Sequence, residues 1–87
     1  MVDNMVKIIT KRKIGYDFSK SASWNIKQGM KVLKSKYHEK SEKERLLTVA
    51  RELGARATQY KNDNPELSKK VRNMSDMAFR MYDNKYK

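Results

Sequence analysis

The sequence predicts an all-α fold, a small three-helix bundle carrying a basic N-terminal arm or short strand. Three observations predict it. Apolar residues recur at steps of three and four in three successive segments, cap-type residues open each segment, and the breaks between segments are short. The first stripe is Ile26, Met30, Leu33 and Tyr37. The second is Leu46, Ala50, Leu53, Ala57 and Tyr60, and the third is Leu67, Val71, Met74, Ala78 and Met81. Such steps keep side chains on one face of a 3.6-residue helix, whereas a strand's period of two would scatter them over both faces.

The boundaries follow from the caps. Ser19, Ser21 and Ser23 each offer an N-cap oxygen ahead of the first segment, and Ser41 with Glu44 reads S-x-x-E, a capping box. Asn62-Asp63-Asn64-Pro65 is the clearest break: Asn64 can cap the third helix, and Pro65 sits in its first turn, where no N–H is needed. Helices are therefore expected near 20–38, 42–61 and 65–84, with neighbours antiparallel because the turns are short. The second helix should be the central one, since Leu47 and Val49 widen its apolar arc. Gly29 and Gly54 permit close helix approach, and Gly54 alternatively marks a kink.

Residues 1–18 read differently from the helical domain over 19–87. Val6, Ile8, Ile9 and Ile14 favour extended backbone, Lys11-Arg12-Lys13 interrupts them, and Gly15 precedes Tyr16 and Phe18. Three forms fit: a short strand, a flexible basic arm, or a strap whose Tyr16 and Phe18 pack on the bundle. A lone strand would need a hairpin or a second subunit to pair with, so a homodimer is one outcome.

Composition removes most chemistry. At 87 residues the chain forms one domain with a thin core, burying about 60–65% of its unfolded surface. Without cysteine there is no disulfide framework, thiol catalysis or thiolate metal site. A single histidine, His38 in the Tyr37-His38-Glu39 linker, leaves zinc and non-haem iron without their usual ligands. The three glycines, at 15, 29 and 54, cannot form a dinucleotide fingerprint or a phosphate-cradling loop. Glu42, Glu44, Glu52, Asp76 and Asp83 lie scattered among basic residues and suit surface ion pairs better than acid–base dyads. No enzyme activity, cofactor or metal is expected. No apolar run approaches the ~20 residues of a membrane span, and the first ten residues lack a secretory h-region, so the expected location is the cytoplasm.

What remains is charge. The chain carries 21 Lys and Arg against 10 Asp and Glu, a net +11. Residues 1–40 hold 10 basic and 3 acidic residues, so the arm and first helix own most of the excess. Lys20, Lys27, Lys31 and Lys34 step by 7, 4 and 3 and share a stripe about 100° from the apolar face. Trp24 falls beside them, about 150° from the centre of the core face. A flat aromatic within a basic row is how single-stranded nucleic acid is held, by stacking beside phosphate contacts. Trp24 has two competing roles, as a satellite cluster covered by Tyr16 or Phe18 and as a protein-binding anchor. Lys11, Arg12 and Lys13 would lie along a phosphate backbone or enter a minor groove, or serve only as a solvated run. Fifteen Lys against six Arg favour point-charge phosphate contact over bidentate base reading. The leading expectation is a non-enzymatic nucleic-acid-binding protein, for DNA or RNA, acting through Lys11, Arg12, Lys13, Lys20, Trp24, Lys27, Lys31 and Lys34.

The alternative is a small regulator or inhibitor, of the kind mobile genetic elements carry, that docks on an acidic or nucleic-acid-handling host protein. Tyr16, Phe18, Trp24, Met77 and Phe79 would anchor it, although Met74, Met77 and Met81 read first as adaptable core filling. Adhesion to an anionic membrane fits poorly, because the lysine row faces away from an apolar stripe the bundle needs. Residues 50–61, from Ala50 through Gly54 to Lys61, resemble the turn region of helix-turn-helix proteins. That resemblance implies a transcriptional regulator with a second helix from about Arg56. Such a helix would meet the Asn62–Pro65 break within two turns, too short to lie along a major groove, and the unbroken stripe Leu46–Tyr60 describes the segment better.

Overall fold

The computed structural model describes residues 14–38 and 41–86. Three helices form, α1 (Ala22–Ser35), α2 (Glu42–Tyr60) and α3 (Pro65–Tyr86), packed against one another as a small all-α bundle. Of the three candidate serines, Ser21 is the cap of α1, with Ser19 before it and Ser23 already inside the helix: the Ser21 Oγ accepts from the Trp24 N–H at 3.1 Å. At α2, Ser41 Oγ accepts from the Glu44 N–H, and the Glu44 carboxylate in turn accepts from the Ser41 hydroxyl. Asn64 caps α3 through its Oδ1, which accepts from the Leu67 N–H, with Pro65 as the first helical residue.

α2 is the central element. Leu46, Val49, Ala50, Leu53 and Ala57 are all buried, and they meet Ile26 and Leu33 of α1 and Val71, Met74 and Ala78 of α3. Small residues set the close approach of α2 and α3. Ser75 donates to the carbonyl of Ala50 at 2.8 Å, and Ser68 to that of Ala57 at 2.6 Å. Each carbonyl has a second lone pair to offer after its helical bond. These two contacts, with Lys85 against Glu42 at 2.8 Å, run in opposite chain directions and fix the pair antiparallel.

Gly54 lies inside unbroken α2, so the turn implied by the helix-turn-helix resemblance is absent. The continuous apolar stripe supplies the reason, since a turn at Gly54 would take Leu53 and Ala57 off the core. Met81 is a second correction. It sits on the third stripe but is 42% exposed, because α1 and α3 do not close on each other at its level.

Residues 14–18 form an irregular strap laid on the bundle, and no strand occurs among the described residues. Ile14 belongs to the core, and Tyr16 and Phe18 are half-buried against it. Phe18 stacks on Tyr16 and meets Tyr60 edge-on, both at 6.1 Å between ring centroids. It thereby extends the α1 layer past its N-terminus to the end of α2. Residues 1–13 lie outside the described residues.

Candidate nucleic-acid interface

The site is built from the strap upward. Asn25, fully buried on α1, is a three-way clamp: its Oδ1 accepts from the Asp17 N–H at 2.8 Å, and its Nδ2 donates to the carbonyls of Asp17 and Ser21 at 2.9 and 3.0 Å. Gln28 Nε2 holds the Ile14 carbonyl at 2.8 Å. Gly15 makes the bend between these anchors with φ +82°, and a Cβ there would come within 3.1 Å of Gln28 Nε2. The Lys20 N–H donates to the Asp17 carbonyl, the same oxygen that Asn25 grips. Lys20 and Trp24 thus hang from one turn, Lys20 by that bond and Trp24 by its bond to Ser21.

On α1, Lys27, Lys31 and Lys34 are exposed and span an arc of about 60° and a length of about 10 Å. The helix contains no Asp or Glu over its 14 residues. None of the three makes an ion pair with a described residue. Lys20 precedes the helix instead of sitting on its stripe, yet its ammonium reaches Trp24, with Nζ 5.7 Å from the ring centroid. Trp24 is 38% exposed and is not one of the buried core residues. Phe18 turns to Tyr16 and to Tyr60, so it does not form a ring cluster with Trp24.

Two carboxylates lie near this face: Glu42, paired with Lys85, lines a groove with Lys27, and Asp17 stands at the Lys20 end. Asp17 is held below the ordinary carboxylate range, first by the Ser19 hydroxyl, then by the Ser19 N–H, with Lys20 and Lys70 adding smaller attractions. It stays ionised at neutral pH and trims the field at the Lys20 end only. Lys11, Arg12 and Lys13 lie outside the described residues; in sequence they directly precede the anchored Ile14.

The residues named for protein binding do not form one patch. Tyr16 and Phe18 are committed to the strap. Met77 and Phe79, 39% and 38% exposed, stand about 160° apart around α3. Sequence reading missed a groove between α1, the start of α2 and the end of α3, with a cavity volume of about 330 Å³. Ile26, Met30, Leu46 and Met81 line it, together with Lys27 and the Glu42–Lys85 ion pair. Its only sequence signal was a methionine at the end of a stripe. No described helix is long and apolar enough to cross a membrane.

No protein-family model matches this chain, and neither a curated protein nor a solved structure does.

Proposed function

We propose that this chain is a non-enzymatic nucleic-acid-binding protein that holds phosphates on the outer face of α1. One observation carries the reading: Lys27, Lys31 and Lys34 stand exposed on a helix with no carboxylate of its own. A solvated surface normally intersperses both signs, as α2 and α3 do. A one-sign row about 10 Å long favours a polyanion, which releases counterions when lysines replace them. Lysine, a compact point charge, suits the backbone more than base edges, so binding is sequence-tolerant. Lys20 extends the row at one end, and Lys11, Arg12 and Lys13 add charge in the sequence just ahead of the strap. DNA and RNA backbones both meet these requirements.

The test is an anisotropy titration of labelled DNA and RNA, single- and double-stranded, from about 50 to 300 mM salt. The reading expects affinity that falls steeply and log-linearly with salt. Absence of binding at the lowest salt would overturn it.

A second reading has its own support in the groove beside Met81. An apolar cleft rimmed by Lys27 and the Glu42–Lys85 pair suits an apolar side chain beside an acidic group on a protein surface. It is the regulator or inhibitor alternative, and substitutions at Met30 and Met81 test it: loss of a captured partner there, with nucleic-acid binding intact, would favour it.

A further inference from the structure

We infer that Trp24 is a stacking platform for an unpaired nucleobase, so that the ligand of the α1 face is a single strand. This rests on the phosphate-binding reading above and narrows it.

The first ground is that the indole stays more than a third open to solvent. Trp24 is the chain's single tryptophan, yet it lies off the core and pairs with no other ring among the described residues. A large aromatic left outside a thin core is an unusual use of the side chain best able to stabilise it.

The second ground is that its backbone is fixed although its ring is exposed. Ser21 caps the Trp24 N–H, and the next residue, Asn25, is fully buried and bonded to both Asp17 and Ser21. Only the two side-chain torsions of Trp24 remain to be ordered when a base arrives, which keeps the entropic cost of stacking low.

The third ground is what surrounds the ring. Lys20 approaches the indole at 5.7 Å, and Lys27 and Lys31 follow three and seven residues along the helix. A base lying on Trp24 would have its flanking phosphates among these ammonium groups, the combination that single-strand sites use. A duplex presents no free base face, so on a duplex Trp24 would stay idle while the lysines still bind. Stacking does not depend on base identity, in keeping with a lysine-based face.

The experiment compares wild type, Trp24→Ala and Trp24→Phe on single strands of about twelve nucleotides, within the usual size of such sites. The ligands are oligothymidylate, oligouridylate, an abasic strand with the same phosphates, and a duplex. The expected result is quenching of Trp24 emission on the base-bearing strands and not on the abasic strand or duplex. Trp24→Ala should lose roughly tenfold in single-strand affinity or more, with the salt slope and duplex affinity unchanged, and Trp24→Phe should keep most of it. A loss confined to DNA or to RNA supports the inference and assigns the sugar. Unchanged single-strand affinity in Trp24→Ala, or unquenched emission at saturation with a steep salt slope, would overturn stacking and leave phosphate binding standing. No binding of any ligand would overturn both.

Discussion

The Tyr16 hydroxyl donates a 2.9 Å hydrogen bond to the buried carboxylate of Glu52, joining the strap to the middle of α2 across 36 residues of sequence. Glu52 is only 9% exposed, so each bond it receives offsets the cost of taking a charge out of water. Tyr16→Phe keeps the ring against Phe18 and removes this bond. We expect a loss of about 1–2 kcal/mol, measured by urea denaturation. An unchanged midpoint would mean that the strap is held by Ile14 and Asn25 without help from Tyr16.

Asn25 offers a sharper test of the same clamp. Asn25→Asp preserves shape but places an oxygen where Nδ2 now donates to two carbonyls. Protonating the new carboxyl can restore at most one of those bonds. The expected cost at neutral pH is about 2–4 kcal/mol, larger than that of Tyr16→Phe. It should shrink as pH falls and the buried carboxyl takes up a proton. Equal stability of Asn25→Asp and wild type at pH 7 would contradict the clamp.

Gly29 and Gly54 separate packing from propensity. Both are helical, and alanine should favour the helix by about 1 kcal/mol at either. At Gly29, however, a Cβ would stand 2.6 Å from Val49 Cγ2 and 2.9 Å from the Tyr16 hydroxyl oxygen. Val49 is fully buried and has nowhere to move. At Gly54 the nearest atom is Ser75 Oγ at 3.2 Å, which asks for a much smaller shift. Gly29→Ala should therefore destabilise by up to about 2 kcal/mol after the propensity gain, from an overpacking cost of about 1–3 kcal/mol. Gly54→Ala should be close to neutral, and thermal melts of the two variants decide the ordering.

The Glu42–Lys85 pair sets a small pH dependence. The Lys85 hydrogen bond, first among its causes, holds Glu42 below the ordinary carboxylate range, and the same bond raises Lys85. A depressed carboxyl stabilises the fold above its unfolded pKa, and that contribution is lost as pH falls through the folded value. The raised ammonium contributes below its unfolded pKa and loses its contribution as pH rises through the folded one. Both groups are exposed, so the effect is slight and screened by salt. Glu42→Gln should melt slightly below wild type at pH 7 and low salt. The difference should vanish in 1 M salt (Debye length about 3 Å) and in strong acid. A difference that persists in high salt would point to packing in the groove.

The helices were legible because the signal that specifies them is local. Steps of three and four, Asn64-Pro65 and the Ser41–Glu44 pair all act within a turn or two, and all three helices formed where they predict. What escaped was tertiary. Nothing local marks Asn25 as buried, since an asparagine in a lysine-rich helix reads as solvated until the Asp17 backbone is known to lie beside it. Glu52 and Ser75 are polar groups in the interior, where Tyr16 and the Ala50 carbonyl meet them. Met81 followed the stripe correctly, but its exposure depends on how far apart α1 and α3 stand. Of the candidate site, the lysine positions on α1 and the outward placement of Trp24 follow from helical angle alone. The approach of Lys20 to the indole does not, because Lys20 lies before the helix and is placed by the Asp17 turn.

The measurement to make first compares two triple variants of equal net charge across a salt series on a single strand. One is Lys27→Ala, Lys31→Ala and Lys34→Ala, on α1; the other is Lys43→Ala, Lys61→Ala and Lys69→Ala, exposed positions on α2, at its C-cap and on α3. If α1 is the phosphate face, the first variant loses most of the affinity, and its salt slope falls by about three, while the second stays close to wild type. Equal losses in both would make the binding a property of overall charge, and no loss in the first would remove α1 as the interface.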